Sequence, residues 1–131
     1  MSEEKSKYNV KKVNYKPTVI FDFDGVIHSY KSGWQGVTNI PDPPVPGINE
    51  AIQKLRERYR VVVLSTRCHQ PGGIEAIWEY LTRHGIEVDN VVRDKEPAIL
   101  TVDDRCICFD GKPENLFDQI EHFQTWQSKE V

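Results

Sequence analysis

Three cysteines in 131 residues are too few, and odd in number, for a disulfide framework. Cys68 and the pair Cys106 and Cys108 also lack the spacing of a zinc site. Buried thiols in a reducing compartment are the expected state, with a Cys-x-Cys metal or redox site as the competing reading. Long apolar runs are missing, which excludes a membrane-spanning helix. The opening stretch, Met1 to Lys7, has no signal-peptide core, so the chain reads as cytoplasmic and free of the membrane. Charge of one sign is lacking as well. Seventeen basic residues against 20 acidic ones leave a net −3, which does not mark a dedicated nucleic-acid binder. Internal repeats and low-complexity tracts are absent. The length allows one domain with a single sizeable core.

Residues 1–16 are polar, with lysines at 5, 7, 11, 12 and 16. They are expected to form a flexible basic arm, solvated or phosphate-seeking, ahead of one domain over 17–131. Val19, Ile20 and Phe21 read as a buried strand that Gly25 closes. Four prolines within 41–46 forbid regular structure, so 26–46 is expected as an ordered loop over the strand tip. Ile48, Ala51, Ile52, Leu55 and Tyr59 recur one turn apart and predict a helix over 47–59. Val61 to Leu64 is apolar on both faces, as a helix-covered parallel strand is. Gly72-Gly73 opens a second helix with Ile74, Ile77, Trp78 and Leu81 on its buried stripe, and Gly85 ends it. Strands are expected over 86–92, 99–102 and 106–109. Pro113 opens a last helix whose apolar face is Leu116, Ile120, Phe123 and Trp126. Such alternation predicts a three-layer, Rossmann-like α/β fold with a mainly parallel sheet. Ligands then bind beyond the carboxyl ends of the strands.

That rule directs attention to how the strands end. The first runs into Asp22-Phe23-Asp24, two carboxylates that point the same way and repel unless a cation or proton separates them. Oxygen-only ligation of this kind suits magnesium, although a solvated Asp-rich turn explains such a triplet equally well in isolation. The second strand ends in Ser65-Thr66-Arg67, and the fourth in Asp103-Asp104. Lys95 stands on the loop feeding the fourth strand. Singly, Ser65 reads as a turn cap, Lys95 as a surface charge and the acidic pair as a solvated turn. In this order, each at a strand end or on the loop leading to one, they point to a catalytic crevice.

The constellation resembles the haloacid dehalogenase superfamily, whose members are mostly magnesium-dependent phosphatases, over residues from about 18 to 127. Within it, Lys95-Glu-Pro-Ala98, Val102-Asp-Asp-Arg105 and Phe109-Asp-Gly111 look like a group of small hydrolases from bacteria and phages. The resemblance implies a Mg2+-dependent phosphomonoesterase in which Asp22 is the nucleophile and Asp24 the acid/base, its backbone carbonyl also facing the metal. It implies Asp22 and Asp104 as direct metal ligands, Asp103 as one acting through water, Ser65 and Thr66 as phosphate binders, and Lys95 as a counter-charge to Asp22 and the phosphate. Thr66 competes with Ser65 for the main phosphate contact. Arg67 either touches substrate or pairs with an acid. Tyr30, Trp34 and His28 either wall the substrate or anchor their loop. His69 reads as a surface residue before a catalytic one, and Asp110 and Lys112 as a turn.

About 40 residues separate Asp24 from Ser65, and some 30 separate Ser65 from Lys95, too few at either place for an inserted cap domain. The site should be open, which suits a phosphorylated nucleic-acid end or protein. A small metabolite or nucleotide fits if a second copy of the chain closes the site. The alternative functions are a non-catalytic phosphate- or nucleic-acid-binding protein on the same fold, and phosphoryl transfer to an acceptor other than water.

Overall fold

The computed structural model describes residues 15–129, so the basic arm lies almost wholly outside the described residues. The elements run β1 (Thr18–Asp22), α1 (Ile48–Arg56), β2 (Arg60–Leu64), α2 (Gly73–Arg83), β3 (Asn90–Val92), β4 (Leu100–Val102), α3 (Leu116–Glu121) and α4 (Trp126–Lys129). Single 3-10 turns occupy Thr66–His69 and Pro113–Asn115. The four strands form one all-parallel sheet in the order β3-β2-β1-β4, the α/β class that the strand and helix alternation predicts. No helix among the described residues is long and apolar enough to cross a membrane.

The core follows from strand alternation. Val19 and Phe21 of β1, Val61 and Val63 of β2 and Val91 of β3 share a cluster with Ile52 of α1 and with Ile77, Tyr80 and Leu81 of α2. Ile20 and Val62, from the opposite face, are also sealed from solvent. β-branched side chains at these positions suit a pleated surface buried on both sides. Gly73 matters to the seating of α2, because a Cβ there would overlap the Arg67 carbonyl of the preceding 3-10 turn.

Several expected elements form in shorter versions. α1 stops at Arg56 rather than 59, since Arg60 must turn into β2, where its N–H bonds Pro17 O at 2.9 Å. The strand expected over 86–92 is regular only from Asn90. Ile86 and Val88 are buried, but Asp89 docks the segment, its carboxylate accepting the Val61 N–H at 2.8 Å and its own N–H reaching Val61 O at 2.8 Å. No strand forms at 106–109, where the chain turns as Asp103 Oδ1 accepts the Arg105 N–H at 2.9 Å. Cys106 and Cys108 are therefore exposed, and only Cys68 is the buried thiol expected. The last helix is broken over 122–125 into α3 and α4. That break accompanies the bonds from Trp126 Nε1 to Gly25 O, 2.9 Å, and from Gln127 Nε2 to Ser29 O, 2.7 Å, which tie the chain end to the loop after β1.

Strand order fixes where chemistry gathers. The chain winds from β1 through β2 to β3, then returns to place β4 on the other side of β1. The winding direction reverses between β1 and β4, and a crevice opens beyond their carboxyl ends.

Candidate active site

Asp22 is the last residue of β1, and Asp103 and Asp104 follow β4 directly. Phe21 pairs in register with Val102, so the adjoining strands deliver all three carboxylates to one spot. Each offers an oxygen within 4.8 Å of the others. These residues line a cleft of about 330 Å3 together with Asp24, Ser65 and Thr66. A larger hollow of about 660 Å3 lies beside Trp78 and Leu81, but its lining holds no such convergence of acids.

The carboxylates are crowded. Burial, then a hydrogen bond with Asp104, then the charges of Asp103 and Asp104 push the Asp22 carboxyl up to about 8. Asp104 Oδ1 is buried without a hydrogen-bond partner. Gly25 makes this approach feasible, because a Cβ there would overlap the Asp104 carboxylate, and its φ of 90° is one that side chains resist. A divalent cation fits this donor set: oxygens only, one of them orphaned, with a half-buried acid, Asp22, that lacks a counter-charge.

Asp24, two residues from Asp22, has the opposite surroundings. Arg67 grips it with Nε to Oδ2 at 2.9 Å and Nη2 to Oδ1 at 3.1 Å, while His28 Nδ1 lies 2.8 Å from Oδ1. The Asp42 N–H donates to His28 Nε2 at 3.1 Å, so that nitrogen accepts and the ring proton belongs on Nδ1, facing Asp24. Burial raises the Asp24 carboxyl, but the bonds from His28 and Arg67 outweigh it and hold the group below the usual carboxylate range.

Arg67 is buried, and Nη1 also donates to Gly36 O at 2.7 Å and Val37 O at 2.8 Å. Of its two sequence readings, substrate contact and acid pair, the structure shows the acid pair, with nearly all its donors bonded inside the protein. Ser65 Oγ accepts the Arg67 N–H at 3.1 Å, and Ser65 and Thr66 both line the cleft, Thr66 being the more exposed of the two.

Lys95, the expected counter-charge to Asp22, is exposed and is not brought to the cleft. The neighbouring Glu96 bonds Arg60 Nη1 at 2.8 Å, at the start of β2, which draws this loop toward the amino ends of the strands. His28 is a buried anchor, whereas Tyr30 and Trp34 do wall the cleft. His69 is exposed and outside it. Asp110 accepts the Lys112 N–H at 2.8 Å, in the turn anticipated there. Arg105 lines the cleft and went unassigned in the sequence, although its place directly after the acidic pair was the available signal.

No protein-family model matches the chain. It is 35% identical over 89 residues to Regulator of Ty1 transposition protein 107 of Saccharomyces cerevisiae, covering 62% of this chain and 8% of that protein. It is 37% identical over 78 residues to the trehalose-phosphate phosphatase of Mycobacterium leprae, covering 55% of this chain and 16% of that protein. The chain thus spans less than a fifth of the length of the curated relatives it matches. A solved structure of the Pnkp1/Rnl/Hen1 complex superposes with a TM-score of 0.49 at 17% identity, over 86% of this chain and 36% of that one. A second, of the Pnkp1/Rnl/Hen1 RNA repair complex, gives 0.46 at 20% identity, over 83% and 33%.

Proposed function

We propose that the chain is a metal-dependent phosphomonoester hydrolase acting through Asp22. The observation that carries this reading is the meeting of Asp22, Asp103 and Asp104 at the switch point between β1 and β4. The partial likeness to a trehalose-phosphate phosphatase supports hydrolysis of a phosphate ester in general. Asp22, Asp104 and, through water, Asp103 would hold the cation, with magnesium the match to an all-oxygen donor set. When bound, the metal supplies positive charge that keeps Asp22 ionised and offsets the phosphoryl oxygens.

As a carboxylate, Asp22 attacks phosphorus. The phosphorus–oxygen ester bond breaks, its electron pair leaves with the alcohol oxygen, which takes a proton from solvent at the open cleft, and an acyl phosphate forms on the aspartate. Ser65 and Thr66 bind phosphoryl oxygens from the cleft wall. In the second step water displaces the phosphate and restores Asp22. Asp24 accepts the proton of that water through Oδ2, which has one donor, Arg67 Nε, and keeps a lone pair. The bonds from Arg67 and His28 keep Asp24 in the ionised form from which a proton can be accepted. Lys95 has no part in these steps.

The test is phosphate release from an aryl phosphate by the full chain, with Mg2+ and with EDTA. Asp22→Asn should reduce the metal-dependent rate at least about 1000-fold while the fold persists by circular dichroism. Full activity in that variant removes the nucleophile assignment.

A further inference from the structure

We propose that the cleft takes phosphate esters bearing a nucleobase, with Trp34 as the platform on which the base stacks; this rests on the hydrolase reading of Asp22. Trp34 is 50% exposed and lines the same cleft as Asp22 and Asp104. The Arg67 guanidinium carbon lies 4.6 Å from its ring centroid. That cation is itself buried and bonded to Asp24, Gly36 and Val37, so the indole is backed by a fixed group. Its remaining surface is offered to the cleft.

The loop carrying the ring is built in advance. Ser32 donates from N and Oγ to the two Asp42 oxygens, each at 2.7 Å. Tyr30, the other aromatic wall, holds a φ of 62° that non-glycine residues rarely adopt, and it meets the His28 ring edge-on at 5.8 Å. A preorganised aromatic wall loses little freedom when a flat ligand settles on it. Every base has a π-face, so such a platform selects bases as a class.

The rest of the lining favours a nucleotide over a phosphorylated tyrosine. A bare phenyl ester calls for an apolar slot, yet Ser65, Thr66, Thr101 and Arg105 share the cleft. The Thr101 hydroxyl and the Arg105 guanidinium, not engaged on the reacting phosphate, suit sugar oxygens and a neighbouring phosphate. A free nucleotide and a strand end present this same chemistry.

The experiment measures kcat/KM of the full chain with Mg2+ on five substrate types. These are 3′- and 5′-nucleoside monophosphates, short oligonucleotides with a terminal phosphate, a phosphotyrosine peptide and glycerol phosphate. Nucleobase-bearing esters should exceed glycerol phosphate by about 10-fold or more, chiefly through KM. Trp34→Ala should remove that preference, and Trp34→Phe should keep most of it. The better of the mononucleotide and the oligonucleotide identifies the source. Equal values for nucleotides and glycerol phosphate, a preference for the phosphopeptide, or an unchanged preference in Trp34→Ala overturns the platform. If no ester turns over, the hydrolase reading fails on its own. The platform is then judged by quenching of tryptophan fluorescence with a nucleoside monophosphate: quenching that Trp34→Phe abolishes supports it, and no quenching overturns it.

Discussion

Two sets of acids on the same four-stranded sheet are treated in opposite ways: those at the amino ends, and the three at the carboxyl ends that stand apart from the Arg67-bound Asp24. At the amino ends, Asp89 is bonded by Arg56 through Nε at 3.2 Å and Nη2 at 2.9 Å, and Glu96 is bonded by Arg60. At the carboxyl ends, Asp22, Asp103 and Asp104 converge, and among the described residues no basic side chain forms an ion pair with any of them. The acids respond accordingly. Bonds from Arg56 lower the Asp89 carboxyl, while burial and the other two acids push Asp22 up to about 8. Sequence can supply arginines to both ends, as the amino end demonstrates. At the carboxyl end Arg67 is committed to Asp24, and crowding Asp22, Asp103 and Asp104 without an ion-pair partner of their own gives up folding stability for a place where a cation can bind.

The largest break in that comparison comes from Asp104→Asn. Removing one charge from the crowded end should cut metal-dependent turnover by about 100-fold or more, since the ligand proposed to hold the cation directly loses its charge. The same change should raise the melting temperature of the metal-free protein, because Asp22 then faces one fewer carboxylate. Mg2+ should raise the melting temperature of the unmodified protein and leave the variant almost unmoved, as thermal scans with and without the metal would record. A variant less stable than the parent in EDTA would show that the acidic cluster is a structural bond and not a strained site.

Gly25→Ala comes next. Its Cβ would overlap the Asp104 carboxylate, and a φ of 90° adds backbone strain. Urea unfolding should show a loss of about 1–3 kcal/mol, and Mg2+ titration a weaker affinity. An unchanged affinity would mean that Asp104 has room to move and that its close approach to Gly25 is incidental.

How much of this was legible beforehand depends on whether a feature is local. Asp22 and Asp103-Asp104 were readable because a strand followed by acids is a pattern along the chain, and parallel order converts equal endings into one place. The partner of Arg67 was not readable. Whether it met substrate or Asp24 depended on the path of residues 26–46, which brings Gly36 and Val37 to the same guanidinium. The position of Lys95 was hidden for a related reason: spacing placed it ahead of the fourth strand, but the Arg60–Glu96 pair decides where that loop goes. Cys106 to Phe109 has the apolar content of a strand, yet a strand exists only where a neighbour pairs with it. The C-terminal helix kept its apolar periodicity on paper and lost its continuity where Trp126 turns to Gly25.

The smallest effect belongs to the satisfied end and tests whether the two ends are independent. Asp89→Asn keeps an oxygen for the Val61 N–H and gives up the charge that binds Arg56. The group is largely solvated, so after screening the loss should be about 0.5–1 kcal/mol near neutral pH. The sign follows from linkage. The folded carboxyl titrates below its ordinary 3.8, so its contribution is complete above about pH 5 and disappears as pH falls through the depressed folded value. Parent and variant should therefore differ at pH 7 and converge in acid, as urea midpoints across that range would measure. Turnover per folded molecule should stay the same, because no bond in the amino-end network touches the cleft. A fall in kcat at full folding would mean that the sheet couples its ends, and that the charges of the stable end help to set the geometry of the reactive one.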